Sequence, residues 1–229
     1  MLAGMTKLGP LGGAYSDLNS ADAATAATTA EELERLGYST LWMAGGPGNN
    51  LPQIDNVVRG TSRIGVASGI LSVDRVPAAE VTAAYAALEQ AHPGRFTVGL
   101  GGAQHGPMPL ATLNAYLDDV EPVVPRSRLI LSALGPRMLE LARDRTAGAY
   151  PYLVTPDYVA SARNILGGER QLAVLVDVIP EVDPARAREV ARDGGCGSSP
   201  PSPVTPPTCV AWASTTTTSP GCRTGSSTA

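Results

Sequence analysis

Two histidines are the first candidates for proton chemistry in this chain. His105 follows the strand-like run 96–100 and the pair Gly101 and Gly102, so it stands in a loop at a strand end. An imidazole there titrates near neutrality; it can donate to a ligand oxygen or act as a catalytic acid or base. His92 lies in H-P-G-R between a helical pattern and a strand, and reads as a helix-end residue beside the last carbonyls. Tyr15 and Asp17 follow the first strand-like run and are secondary candidates for the same rim. Trp42 falls within a strand and reads as core. Tyr150 and Tyr152 alternate along another strand. Only one of the two parities points inward, and the pattern leaves open which.

Small residues form the second group. Gly12 and Gly13, Gly45 and Gly46 before Pro47, Ser68 and Gly69, and Gly101 and Gly102 all close strand-like runs. A missing side chain lets a flat ring or a phosphate approach the backbone, although any one such pair also suits an ordinary tight turn. The run 99–104 lacks the last glycine of a dinucleotide fingerprint, and the chain has no Walker, H-E-x-x-H or G-x-S-x-G motif. With so few titratable groups at these ends, hydrolysis by paired carboxylates or a Ser/His/Asp triad is poorly supported. A cofactor that brings its own reactivity fits better.

The elements that must position these residues alternate. Strands are expected at about 7–13, 39–44, 64–71, 96–100, 128–134, 149–154 and 172–179. Helices are expected at 21–36, 51–59, 77–90, 110–118, 136–145, 155–166 and from 184. The strands are near-continuous apolar runs, the pattern of a parallel sheet covered by helices. About seven βα units fill residues 1–193, which favours an α/β fold of the (β/α)8 TIM-barrel kind, incomplete by one unit. In that architecture chemistry sits at the C-terminal ends of the strands.

Composition narrows the class. The 229 residues carry a formal charge of −4, with no Lys/Arg cluster to track a phosphate backbone, so no nucleic-acid partner is expected. No run reaches the length of a membrane helix, and residues 1–10 do not read as a secretory signal, so a cytoplasmic location is expected. Residues 194–229 differ from the rest: 26 of these 36 are Gly, Ser, Thr or Pro, and all three cysteines fall here without a nearby His or carboxylate, so no metal site is expected. This stretch reads either as a disordered low-complexity tail or as the product of a shifted reading frame, in which the run of threonines at 215–218 would become acidic. The coding DNA around Asp193 distinguishes the two.

The run A-L-G-P-R-M-L-E-L-A at 133–142, followed by A-G-A-Y-P-Y-L-V-T-P-D-Y-V, resembles the luciferase-like monooxygenase superfamily, and within it the F-420-dependent oxidoreductases. H-P-G-R-F-T-V-G-L-G-G at 92–102 and T-S-R-I-G-V-A-S-G-I-L at 61–71 agree with it. The resemblance implies a TIM barrel of the bacterial-luciferase type, in many members a homodimer, holding coenzyme F-420 or FMN at the strand ends. The reaction implied is hydride transfer between a deazaflavin and a small organic substrate. The rivals are an FMN-dependent monooxygenase and a non-catalytic or inactive truncated member. The resemblance further implies that the bulge at Ser68 and Gly69 lies against the tricyclic ring and carries a non-proline cis peptide. It places Gly101 and Gly102 beside the cofactor, with His105 close by as the catalytic donor. Gly45 and Gly46 stand where many relatives carry an acidic residue or His, which puts an acid/base role at that strand in doubt.

Overall fold

The computed structural model describes residues 8–15, 17–45, 48–102 and 109–194. The chain separates into a unit ending at Asp177 and a second beginning at Val178. The expected boundary at 193 falls at the end of the described range. Within the described residues the second unit contains one helix, α7 (Pro184–Gly194).

The first unit is a parallel sheet. Its strands are β1 (Gly12–Tyr15), β2 (Thr40–Ala44), β3 (Gly65–Gly69), β4 (Leu71–Ser72), β5 (Phe96–Gly101), β6 (Leu129–Leu131), β7 (Gly148–Ala149) and β8 (Gln171–Leu172). β3 and β4 are two halves of one interrupted strand, so the order across the sheet is β1-β2-β3/β4-β5-β6-β7-β8. Six helices connect these strands: α1 (Ala23–Arg35), α2 (Leu51–Gly60), α3 (Ala78–Ala91), α4 (Pro109–Val120), α5 (Pro136–Arg145) and α6 (Pro156–Leu166). The expected incomplete α/β TIM-type barrel of about seven βα units is present, as a parallel half-barrel.

Local chemistry sets the element ends. Asp22 caps α1 by accepting the Ala24 and Thr25 N–H groups. Gly37 turns the chain out of that helix at φ 91°. Thr155 caps α6 by accepting the Tyr158 N–H, with Pro156 in its first turn. His92 is the C-cap of α3, the helix-end place read from H-P-G-R. The strands expected at 149–154 and 172–179 are shorter in the structure. Their pairing breaks at Pro151, which has no N–H to donate, and resumes only as a bridge between Tyr152 and Leu175.

The central strands β2, β3, β5 and β6 bury both faces, whereas β1 is largely exposed and β8 half-buried. Leu41 and Met43 of β2, Val66 of β3, Phe96, Val98 and Leu100 of β5, and Leu129 and Leu131 of β6 point outward into the helices, against Leu33, Ile54, Val81, Leu113 and Leu139. The alternate positions point inward. There Trp42, Ala67, Ile130 and Tyr150 form a separate cluster in the concave side of the sheet.

The N-terminal ends of the strands are clamped by charge. Glu34 of α1 accepts the N–H groups of Arg63 and Ile64 and the Ser62 hydroxyl, which fixes the entry to β3. From the other side Arg95 donates to the carbonyls of Ile64 and Thr61 and to the Thr61 hydroxyl. Burial alone would raise the Glu34 pKa, but the hydrogen bonds from Ile64, Arg63 and Ser62 outweigh it and bring it from 4.5 to about 2. A depressed carboxylate pKa contributes stability above its unfolded value, and that contribution is lost as pH falls toward the folded value. Denaturant melts should therefore show the Glu34 contribution intact above about pH 4.5 and disappearing toward pH 2. Glu34→Gln should cost about 2 kcal/mol at neutral pH and flatten that part of the acid profile. An unchanged acid profile in the variant would count against this clamp.

Candidate functional site

The interruption between β3 and β4 lies at the C-terminal side of the sheet. Before it Ala67 is opposite Thr97, and after it Leu71 is opposite Leu100. Four steps along one strand thus match three along β5, which is a bulge of one residue. The backbone ladder fails there, and the Ser68 side chain takes its place. Its hydroxyl donates to the Gly99 carbonyl at 3.0 Å and accepts the Gly99 N–H at 2.7 Å. Ser68 is wholly buried, so neither group could turn to water instead. The peptide joining Gly69 to Ile70 is cis, where the resemblance puts one.

Glycines surround this bulge, for a reason visible in the packing. A Cβ on Gly99 would lie 2.0 Å from the Ser68 carbonyl oxygen. One on Gly45 would lie 2.3 Å from the Ile70 carbonyl oxygen, and Gly45 donates its N–H to the Gly69 carbonyl at 2.7 Å. One on Gly101 would lie 2.8 Å from the Ile70 side chain. At these three positions the space of the missing side chain is filled by the bulge itself. Gly102, at φ 98°, turns the chain out of β5 beside Ser72 and Asp74. Two asparagines secure the end of β2, since Asn19 and Asn50 both donate to the Ala44 carbonyl.

Inside the sheet Trp42 and Tyr150 stack, with ring centroids 4.1 Å apart and planes 3° from parallel. Trp42 is thus core, as expected, and Tyr150 is the inward member of its alternating pair while Tyr152 is 39% exposed. The Tyr150 hydroxyl reaches Gly69: a Cβ there would lie 3.2 Å from it. Burial, and secondarily the Asp177 carboxylate, push this phenol up to about 12, so it stays protonated at all ordinary pH values.

The structure therefore brings Gly45, Ser68, Gly69 and Gly101 into one cluster at the C-terminal mouth, with Gly102 next to it. Gly46 and His105 lie outside the described residues. Tyr15 lies at the end of β1 and is 40% exposed. Three residues at the mouth were not singled out from the sequence: Gly99, Ile70 and, as the inward tyrosine, Tyr150. Gly99 had a readable signal, since a glycine inside an apolar strand marks a close backbone approach. Among the described residues no group of three or more His, Cys, Asp or Glu could hold a metal ion. No described helix is long and apolar enough to cross a membrane.

Comparison with known proteins agrees with this geometry. Residues 5–114 match the family model of the luciferase-like monooxygenases. That segment carries β1 to β5 and the bulge, whereas the motif at 133–142 lies beyond it. No curated protein matches the chain. Among solved structures, an F420-dependent secondary alcohol dehydrogenase in complex with an F420-acetone adduct is similar, with TM-score 0.58, 17% identity, 80% of this chain and 73% of that one covered. The coenzyme F420 dependent tetrahydromethanopterin reductase from Methanopyrus kandleri gives TM-score 0.65 at 14% identity, covering 79% of this chain and 69% of that one. The oxygenating constituent of 3,6-diketocamphane monooxygenase from Pseudomonas putida, in complex with FMN, gives 0.58 at 12% identity, covering 75% and 66%. The resemblance to the luciferase-like superfamily thus holds in sequence over 5–114 and in fold over the larger part of the chain.

The bulge generates a prediction. Ser68→Ala leaves the buried Gly99 N–H and carbonyl without their partner, which should cost about 1–3 kcal/mol. Thr at the same position keeps the hydroxyl and should recover part of that loss. Thermal melts of the two variants check this, and an alanine variant as stable as the parent would refute the bridging role.

Proposed function

We propose that this chain is an F-420-dependent oxidoreductase that transfers a hydride between a deazaflavin and a small organic substrate. The observation that carries this reading is the bulged third strand at the mouth of a luciferase-like half-barrel, with half-buried Ile70 at its crest. A tricyclic redox ring needs a flat, mostly apolar seat with a few placed polar atoms. Ile70, the Gly69–Ile70 peptide and the phenol of Tyr150 supply a set of that kind. Coenzyme F-420, when bound, would contribute the transferable electron pair.

The chain's own part is positioning. Ser68 and Gly99 lock the base of the bulge, and Gly45 holds its crest through the Gly69 carbonyl. Gly45, Gly69, Gly101 and Gly102 shape the seat mainly through the bulge they admit, with Gly46 and His105 assigned to the same rim from the sequence. Such pre-set geometry lowers the barrier by holding the reacting partners in register, and a shift of the bulge would weaken it. His105 remains the proposed donor to the substrate.

Fluorescence titration of the purified protein with F-420 and with FMN tests this reading. F-420 should bind roughly tenfold tighter than FMN or better, a difference of about 1.4 kcal/mol. Tighter binding of FMN would instead support the flavin-dependent monooxygenase, and binding of neither would remove the redox reading altogether.

A further inference from the structure

Buried Tyr116 and half-buried Tyr158 both use their hydroxyls. Tyr116 donates to the Val76 carbonyl at 2.8 Å, and Tyr158 donates to the Leu134 carbonyl at 2.7 Å. Tyr150 is as deeply placed as Tyr116, at 5% exposure, yet among the described residues its hydroxyl has no protein hydrogen-bond partner and stays open to solvent. A phenol set this deep ordinarily finds a protein acceptor, and one left open to solvent is placed to meet a ligand. Stacking does not account for the hydroxyl, because a phenylalanine would stack on Trp42 equally well. The location is informative. The hydroxyl stands at the end of β3, beneath the bulge, and Gly69 has no side chain to cover it.

We propose that the Tyr150 hydroxyl donates a hydrogen bond to a carbonyl oxygen of the ring bound at the mouth. The acceptor is the pyrimidinedione edge that deazaflavins and flavins share, and the inference rests on the redox reading given above. Trp42 fixes the plane of the phenol by stacking, and Gly69 keeps the path to the ring open. The phenol remains protonated across the working pH range, so it acts only as a donor to that oxygen.

The test is Tyr150→Phe, which keeps the ring and removes only the hydroxyl. Affinity is measured by fluorescence titration with F-420 and, separately, with FMN. The variant should bind the favoured ring about five- to tenfold more weakly, with its bound absorption band displaced from that of the wild type. The arm that shows the loss identifies which of the two rings the phenol serves. As a second readout, 3-fluorotyrosine placed at position 150 should change its fluorine chemical shift when that ring is added, and this needs no altered packing. Wild-type binding combined with affinities within twofold, an undisplaced band and an unmoved fluorine signal would overturn the Tyr150 inference alone. A wild type that binds neither ring overturns the redox reading, and this inference with it.

Discussion

Ser68 and Gly99 exchange two hydrogen bonds through one hydroxyl, and the mouth of the sheet is organised around that exchange. A parallel ladder with one surplus residue leaves a buried N–H and a buried carbonyl without partners, and water cannot reach them. A small side chain carrying both a donor and an acceptor settles both at once. The remaining geometry follows from it. Gly99 must lack a side chain so that the Ser68 backbone can come close, and Gly45 and Gly101 must lack one to admit the Gly69–Ile70 step.

The two faces of the sheet divide the work. The outward face is an aliphatic layer under the helices and supplies most of the burial that stabilises the fold. The inward face is sparser: beside Ala67 and Ile130, one indole and one phenol, parallel and in contact, stand where a barrel usually carries layers of branched side chains. An aromatic pair fills the width between opposing strands and also carries a polar atom to the mouth, which aliphatic side chains cannot do. At the opposite end Glu34 and Arg95 hold the loop before β3, so the interrupted strand is fixed at its base and free to bulge only at its tip.

The sequence and the structure explain the same glycines differently. Read in sequence, Gly45, Gly69 and Gly101 are gaps left for a ligand. In the structure, Gly45 and Gly101 are gaps taken up by the bulge, and the space beside Gly69 is taken up by the Tyr150 phenol and the Trp42 indole. A string of residues shows that space exists beside the backbone, but the occupant comes from another strand, so no local pattern names it. The short last strands have a similar origin. The apolar runs at 149–154 and 172–179 look continuous, yet pairing depends on whether the neighbour has an N–H to give, and Pro151 has none.

The alternation of apolar runs with helical patterns was enough, by itself, to determine a parallel α/β barrel type of about seven βα units, because strand burial and helix ends are recorded in adjacent residues. That the sheet closes only as a half-barrel was not legible. Motifs at 61–71 and 92–102 likewise located the interrupted strand and its neighbour. Only the tertiary structure decided which tyrosine turns inward, that it stacks on Trp42, and that Ser68 repairs the ladder at Gly99. Those are contacts between residues about 30 or more positions apart, made across the concave face or between neighbouring strands. Strand curvature and register create them, and neither is written in the local order of side chains.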